Sequence, residues 1–273
     1  MLTLTSAEMS TWVAGLMWPL ARILGLITAS PVFGHTRVPI TVKLLLGLSL
    51  AIVIAPVVPA GPAADPASLA GFLILAQETL IGIAMGFSMR IVFGAVEFAG
   101  EISSLTMGLG FATFFDPNSQ GRSSAISQYL SLVGTMLFLA VNGHLVLIEA
   151  LAESFITAPI SALPMGVASF KHLADWGAKI FSAGLQLSLP IVAALLITNV
   201  ALGILTRAAP QLNLFGIGFP ITLGAGMLVV VMTLPYLSGP LQALFNQGVE
   251  KSRQLPRDAA EQRTKLVQPR PAS

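Results

Sequence analysis

Seven ionisable residues lie within or beside long apolar runs: Arg22, Glu78, Arg90, Glu97, Glu101, Glu149 and Glu153. At a lipid-facing helix centre each charge would cost about 2.5–3.5 kcal/mol or more, so each is expected to face protein or water. Arg90, Glu97 and Glu101 are spaced by 7 and 4 residues. On one continuous helix they would share a face within about 40°. Two readings follow from that spacing. One is a structural ion-pair ladder, or helix ends in the headgroup region. The other is a charged wall of a conduit or a subunit interface, which in a secondary transporter would be a coupling-ion site. Neither an inverted repeat nor paired broken helices accompany it. Glu149 and Glu153, also four apart, mark the interfacial end of a helix.

Other chemistry is sparse. His35, His144 and His172 are far apart without ligand-like spacing, and the chain has no cysteine, so neither a metal site nor thiol chemistry is expected. No P-loop, Gly-x-Ser-x-Gly or His-Glu-x-x-His pattern occurs. Neither catalysis nor a cofactor is expected.

The elements that must position these charges are membrane helices. Of 273 residues, 55% are apolar and only 10% charged, with a mean hydropathy of +0.83. Soluble domains carry about 25% charged residues, so the composition points to an all-α integral membrane protein crossing the bilayer several times. About 20 apolar residues cross the hydrocarbon. Six runs qualify or nearly do: about 12–33, 41–60, 69–96, 125–151, 180–206 and 212–236. "GPAADPAS" (61–68), "TAPISALPMG" (157–166), "RAAPQLN" (207–213) and "LSGP" (237–240) punctuate them. "GIAMG" places Gly82 and Gly86 in a GxxxG, either a close-packing motif or a chance occurrence in a glycine-rich chain.

The net charge of +2 hides an asymmetry. From Glu250 onward six basic residues face three acidic ones, and the rest of the chain is slightly acidic. The positive charge therefore belongs to a tail, read as a poorly ordered cytoplasmic extension over 251–273, and not to a nucleic-acid-binding face. No positively charged n-region precedes the first apolar run, so that run is expected to direct insertion itself. Arg37, Lys43, Arg207 and the tail all favour the cytoplasmic side, and the loop around Asp65 the other. Six plain spans cannot satisfy all of these. Either one segment does not cross, or some helices are bent hairpins, and these need cover inside an assembly or a lined cavity.

One loop stands apart. "MGLGFATFFDPNSQGRSS" (107–124) joins two apolar runs yet is itself oily. Exposing Phe111, Phe114 and Phe115 would forfeit on the order of 5–9 kcal/mol of burial. Gly108 and Gly110 loosen the backbone, Pro117 pushes Asp116 out of the helical region, and Ser123 or Ser124 can N-cap the next helix. Such a loop folds inward, either as an ordinary re-entrant turn or as a movable stopper hinged at its glycines.

"MGLGFATFFDPNSQG" (107–121), "LFLAVNGHLVLI" (137–148), "RAAPQLNLFGIGFP" (207–220) and "PVFGHTRVPITVKLLLGLSLAIVIAP" (31–56) together resemble the FliR family of flagellar export-gate proteins. The likeness runs in order from about residue 10 to 245. A related injectisome subunit shares the "APQLN" region, whereas "NGHL" and "FATFFDP" look more like the flagellar branch. The resemblance implies one copy of the chain in a helical hetero-oligomeric pore with several FliP-like and FliQ-like subunits. That pore lies in the inner membrane within the flagellar basal body, beside FlhB-like and FlhA-like components. Unfolded flagellar proteins pass through it, driven mainly by the proton-motive force. It further implies about six helices in bent hairpins, a FliP-like part over 1–175 and a FliQ-like hairpin over 176–250. A plug loop at 106–122 would then contain Met107, Gly108, Gly110, Phe111, Phe114, Phe115, Asp116 and Pro117. Arg90, Glu97, Glu101 and Arg207 are the candidate buried-charge or interface residues.

Overall fold

Apolar runs of this length have one economical solution, the α-helix, because it satisfies every interior backbone group within its own segment. The computed structural model bears this out. It describes residues 6–59, 61–62, 64–111, 123–161, 167–209, 216 and 218–267, and among these there are eight α-helices and no strand. They are α1 (Ser6–Ala29), α2 (Ile40–Ile54), α3 (Leu69–Thr106), α4 (Ala125–Ala140), α5 (Gly143–Thr157), α6 (Val167–Gly177), α7 (Lys179–Ala208) and α8 (Phe219–Val267). Short 3₁₀ turns follow α2 (Ala55–Val57) and α3 (Leu109–Phe111).

Four described stretches are long and apolar enough to cross a membrane: Ile40–Val57, α3, Ser169–Ala208 and Phe219–Arg263. A fifth counts if α4 and α5 are taken as one broken span. Within the first run, the described apolar part, Gly15–Ala29, is shorter than these four. The run expected over 125–151 divides at Asn142, which adopts the left-handed conformation (φ 57°). Asparagine tolerates that region better than other residues with a Cβ. α3 has 38 residues and α8 has 49. At 1.5 Å per residue they reach about 57 and 74 Å, far beyond a hydrocarbon core of about 30 Å.

The chain forms two compact units. The first comprises Met1–Ile91, Asn142–Gly177 and Asn246–Ser273; the second comprises Val92–Val141 and Ala178–Phe245. Both long helices contribute to both units, so compactness divides the chain differently from the linear boundaries at 175 and 250.

In the first unit, α1 and α3 cross almost backbone to backbone. A Cβ at Gly82 would overlap the carbonyl oxygen of Arg22 and lie 2.8 Å from its carbonyl carbon; one at Gly86 would lie 2.6 Å from the Leu26 oxygen. The GxxxG is therefore a packing motif. Trp18, Ile23, Leu26, Ile81, Met85, Leu151 and Phe155 close the core around it. Gly82→Ala is expected to destabilise the protein by about 1–3 kcal/mol through overpacking. Gly203, where an added Cβ meets nothing within 4 Å, should accept alanine without loss or gain up to about 1 kcal/mol of helix propensity. Thermal unfolding of both variants in detergent checks this, and equal stabilities would contradict it.

In the second unit, Phe93 of α3, Phe138 of α4 and Phe245 of α8 form an aromatic triad with centroids 5.2–5.8 Å apart. Ser124 N-caps α4, its hydroxyl accepting from the Ser127 N–H at 3.2 Å. That decides between the two serines expected for the role.

One expectation is corrected. Residues 251–267 are not a poorly ordered tail but continue α8. Ser252, Leu255, Ala259 and Arg263, spaced by 3, 4 and 4, fall on one helical face, and all four are buried in the first unit. The many charges along the segment masked that stripe. Residues 268–273 lie outside the described part.

Candidate functional site

Among the described residues, the most connected polar group is one the sequence displays only as isolated charges. Arg22 of α1 and Glu78 of α3 are both fully buried and form an ion pair. Arg22 Nε donates to Glu78 Oε2 at 2.6 Å. Its Nη1 donates to the Ser154 carbonyl and hydroxyl at 2.8 and 3.1 Å, and its Nη2 to the Ala158 carbonyl at 2.9 Å. The guanidinium also sits 4.4 Å from the ring centroid of Phe155, within cation–π range. Arg263 of α8, itself buried, donates from Nη1 to the Pro159 carbonyl at 3.0 Å. Two guanidiniums therefore hold the carbonyl-rich C-terminal end of α5, where the helix dipole is negative. The sequence signal was one opposite charge in each of two apolar runs. Nothing local told that the two runs touch.

The other expected charges have different fates. Arg90 and Glu97 are exposed and Glu101 is half-buried. No ion pair among the described residues involves any of the three, so the ladder is not formed. Glu101 Oε1 instead accepts the Ser124 N–H at 2.7 Å, holding the start of α4 to the end of α3. One turn earlier, the Glu97 carbonyl accepts from Ser127 Oγ at 2.9 Å and its carboxylate from Ser131 Oγ at 3.4 Å. Gly100 admits the Ser127 backbone at this crossing. Arg207 is exposed in the last turn of α7, where a cation complements the helix dipole. Glu149 and Glu153 both reach Arg253 of α8, at 3.3 and 3.2 Å.

Of the residues assigned to the loop, Met107 is fully buried. Gly108 has φ 86°, the region that favours glycine. A Cβ at Gly110 would lie 2.9 Å from Leu105 Cδ2. Phe111 ends the 3₁₀ turn, but its side chain lies outside the described part, as do Phe114, Phe115, Asp116 and Pro117. His35, His144 and His172 remain on separate elements, and no group of three or more possible metal ligands occurs among the described residues. His172 pairs with Asp258 at 2.7 Å.

Helices of membrane length, together with a fully buried ion pair between two of them, define an all-α integral membrane protein. A sequence model of the bacterial export proteins, family 1, matches residues 13–248. The chain is 42% identical over 247 residues to the flagellar biosynthetic protein FliR of Pectobacterium carotovorum subsp. carotovorum, covering 90% of this chain and 94% of that protein. It is 41% identical, with the same coverage, to FliR of Escherichia coli (strain K12). FliR of Bacillus subtilis (strain 168) is 27% identical over 238 residues. The chain belongs to the bacterial export proteins of family 1.

Proposed function

We propose that this chain is a pore-forming subunit of the flagellar type III export gate in the bacterial inner membrane. In this role it passes unfolded flagellar proteins and helps to seal the closed channel. The observation that carries the reading is the likeness, over 90% of the chain, to proteins named for flagellar biosynthesis. The geometry supports it. In the most apolar 18-residue window of α3, 67% of residues are buried, against 17% in the corresponding windows of Ile40–Val57, Ser169–Ala208 and Phe219–Arg263. Those three stretches leave apolar surface for lipid and for neighbouring subunits. The partners are FliP-like and FliQ-like subunits, with FlhB-like and FlhA-like components nearby. Residues 1–175 are the FliP-like part, 176–250 the FliQ-like hairpin, and the C-terminus is cytoplasmic. The role is structural and involves no bond chemistry. Gly108, Gly110, Phe111, Phe114, Phe115, Asp116 and Pro117 belong to the sealing loop, and Met107 stands at its start.

Deleting residues 110–116 is expected to leave co-purification with the FliP-like and FliQ-like partners intact while making the inner membrane leaky to ions. Resting conductance of cells carrying the deletion is the measurement. Parent-level conductance would remove the sealing role, and loss of co-purification from the intact chain would remove the subunit assignment.

A further inference from the structure

The family resemblance puts Met107 in the plug loop, yet its side chain is fully buried in the second unit. Its side chain fills the space that a Cβ on Gly226 of α8 would need. Such a Cβ would lie 2.6 Å from Met107 Cγ, 2.7 Å from Cε and 3.0 Å from Sδ. One turn away on α8, the Thr222 hydroxyl shares its single proton between the Phe219 carbonyl at 3.0 Å and the Met107 carbonyl at 3.3 Å. The Met107 N–H donates to the Ser103 carbonyl at 3.0 Å, and the Gly108 N–H to the Leu105 carbonyl at 3.1 Å. Backbone and side chain of residue 107 are thus both held. A methionine usually adapts to its neighbours, but Cγ is set by the first side-chain torsion, and a fully buried residue has no free volume into which to swing.

We propose that Met107 and Gly226, with Thr222, form a knob-in-notch anchor that fixes the end of α3 onto α8. Met107 is then a positioning residue for the segment that follows it and not one of the sealing surfaces. This rests on the reading of that segment as a seal. Gly226 carried no distinguishing mark in the sequence. Gly224, two residues earlier on the same helix, has nothing within 4 Å of an added Cβ, so it serves as an internal control. Alanine raises helix propensity equally at both positions, which leaves the notch as the difference.

The test is a size swap in the full chain, in the membrane of cells that make the complete gate. Gly226→Ala is expected to lower the amount of assembled chain and raise resting ion conductance, and Gly224→Ala to leave both at parent level. Adding Met107→Ala to Gly226→Ala should return both readouts toward parent. Since the chain has no cysteine, a second readout avoids dependence on how well Gly226→Ala folds. Met107→Cys with Gly226→Cys should cross-link on mild oxidation, and Met107→Cys with Gly224→Cys should not. Equal behaviour of the two alanine variants, no recovery in the swap, or equal cross-linking of the two cysteine pairs would each overturn the anchor. A chain that leaks no ions after deletion of 110–116, but cross-links and recovers as described, would lose the seal and keep the anchor.

Discussion

Glu78→Ala should destabilise the protein by about 3–5 kcal/mol, the usual cost of stranding one member of a buried ion pair. Arg22 would stay fully buried, with its Nε pointing at the space the carboxylate left. Its bonds to the Ser154 and Ala158 carbonyls would persist, but dipoles alone do not balance a full charge at this depth. Thermal unfolding in detergent, or the steady-state level of the chain in membranes, reads the loss. A melting temperature equal to the parent's would show that the pair is not a stability element. The companion variant separates charge from packing. Arg22→Met combined with Glu78→Leu should recover much of the loss, since apolar replacements of a whole buried pair are often neutral or better. The more exposed contacts of Arg253 with Glu149 and Glu153 are expected to matter little by comparison, about 0–1 kcal/mol each.

Ending the chain after Glu250 should be nearly as damaging, although composition makes that region look dispensable. The lost helix end would uncover the fully buried Leu255, worth about 1.5–3 kcal/mol. It would also remove the Arg263 hydrogen bond to the Pro159 carbonyl, worth about 0.5–1.5 kcal/mol. The sum, on the order of 2–4 kcal/mol, is a large share of the stability of many domains. Ending the chain after Val267 should leave the protein at parent level. Membrane abundance and resistance to trypsin of the two truncations make the comparison; equal abundance would mean that the docked helix end is dispensable. His172 with Asp258 at 2.7 Å and Arg253 with Glu149 and Glu153 also hold the turns that this truncation removes.

How much of this was legible depended on the range of the physics involved. The Ser124 cap and the break near Gly108 are local, set by a hydroxyl three residues from an unpaired N–H and by a positive φ. The Gly82–Gly86 motif was visible, but its meaning needed the α1 backbone lying against it. Arg90, Glu97 and Glu101 show the opposite error. Helical spacing correctly predicts a shared face, but it is silent about what that face meets. Glu101 turned out to hold the start of α4, not to pair with Arg90.

By itself the sequence determined the class: all-helical, membrane-embedded, without a catalytic or metal-binding pattern, and in the export family. Those conclusions rest on composition, on periodicity and on ordered motifs, all of which are properties of the chain read along its length. Tertiary structure alone decided that Arg22 meets Glu78, that Arg263 returns to the end of α5, and that Met107 seats against Gly226. Each joins residues from 56 to 119 positions apart. A buried charge must find a partner somewhere and a glycine can admit a close neighbour, but which partner and which neighbour follow only from how the helices pack.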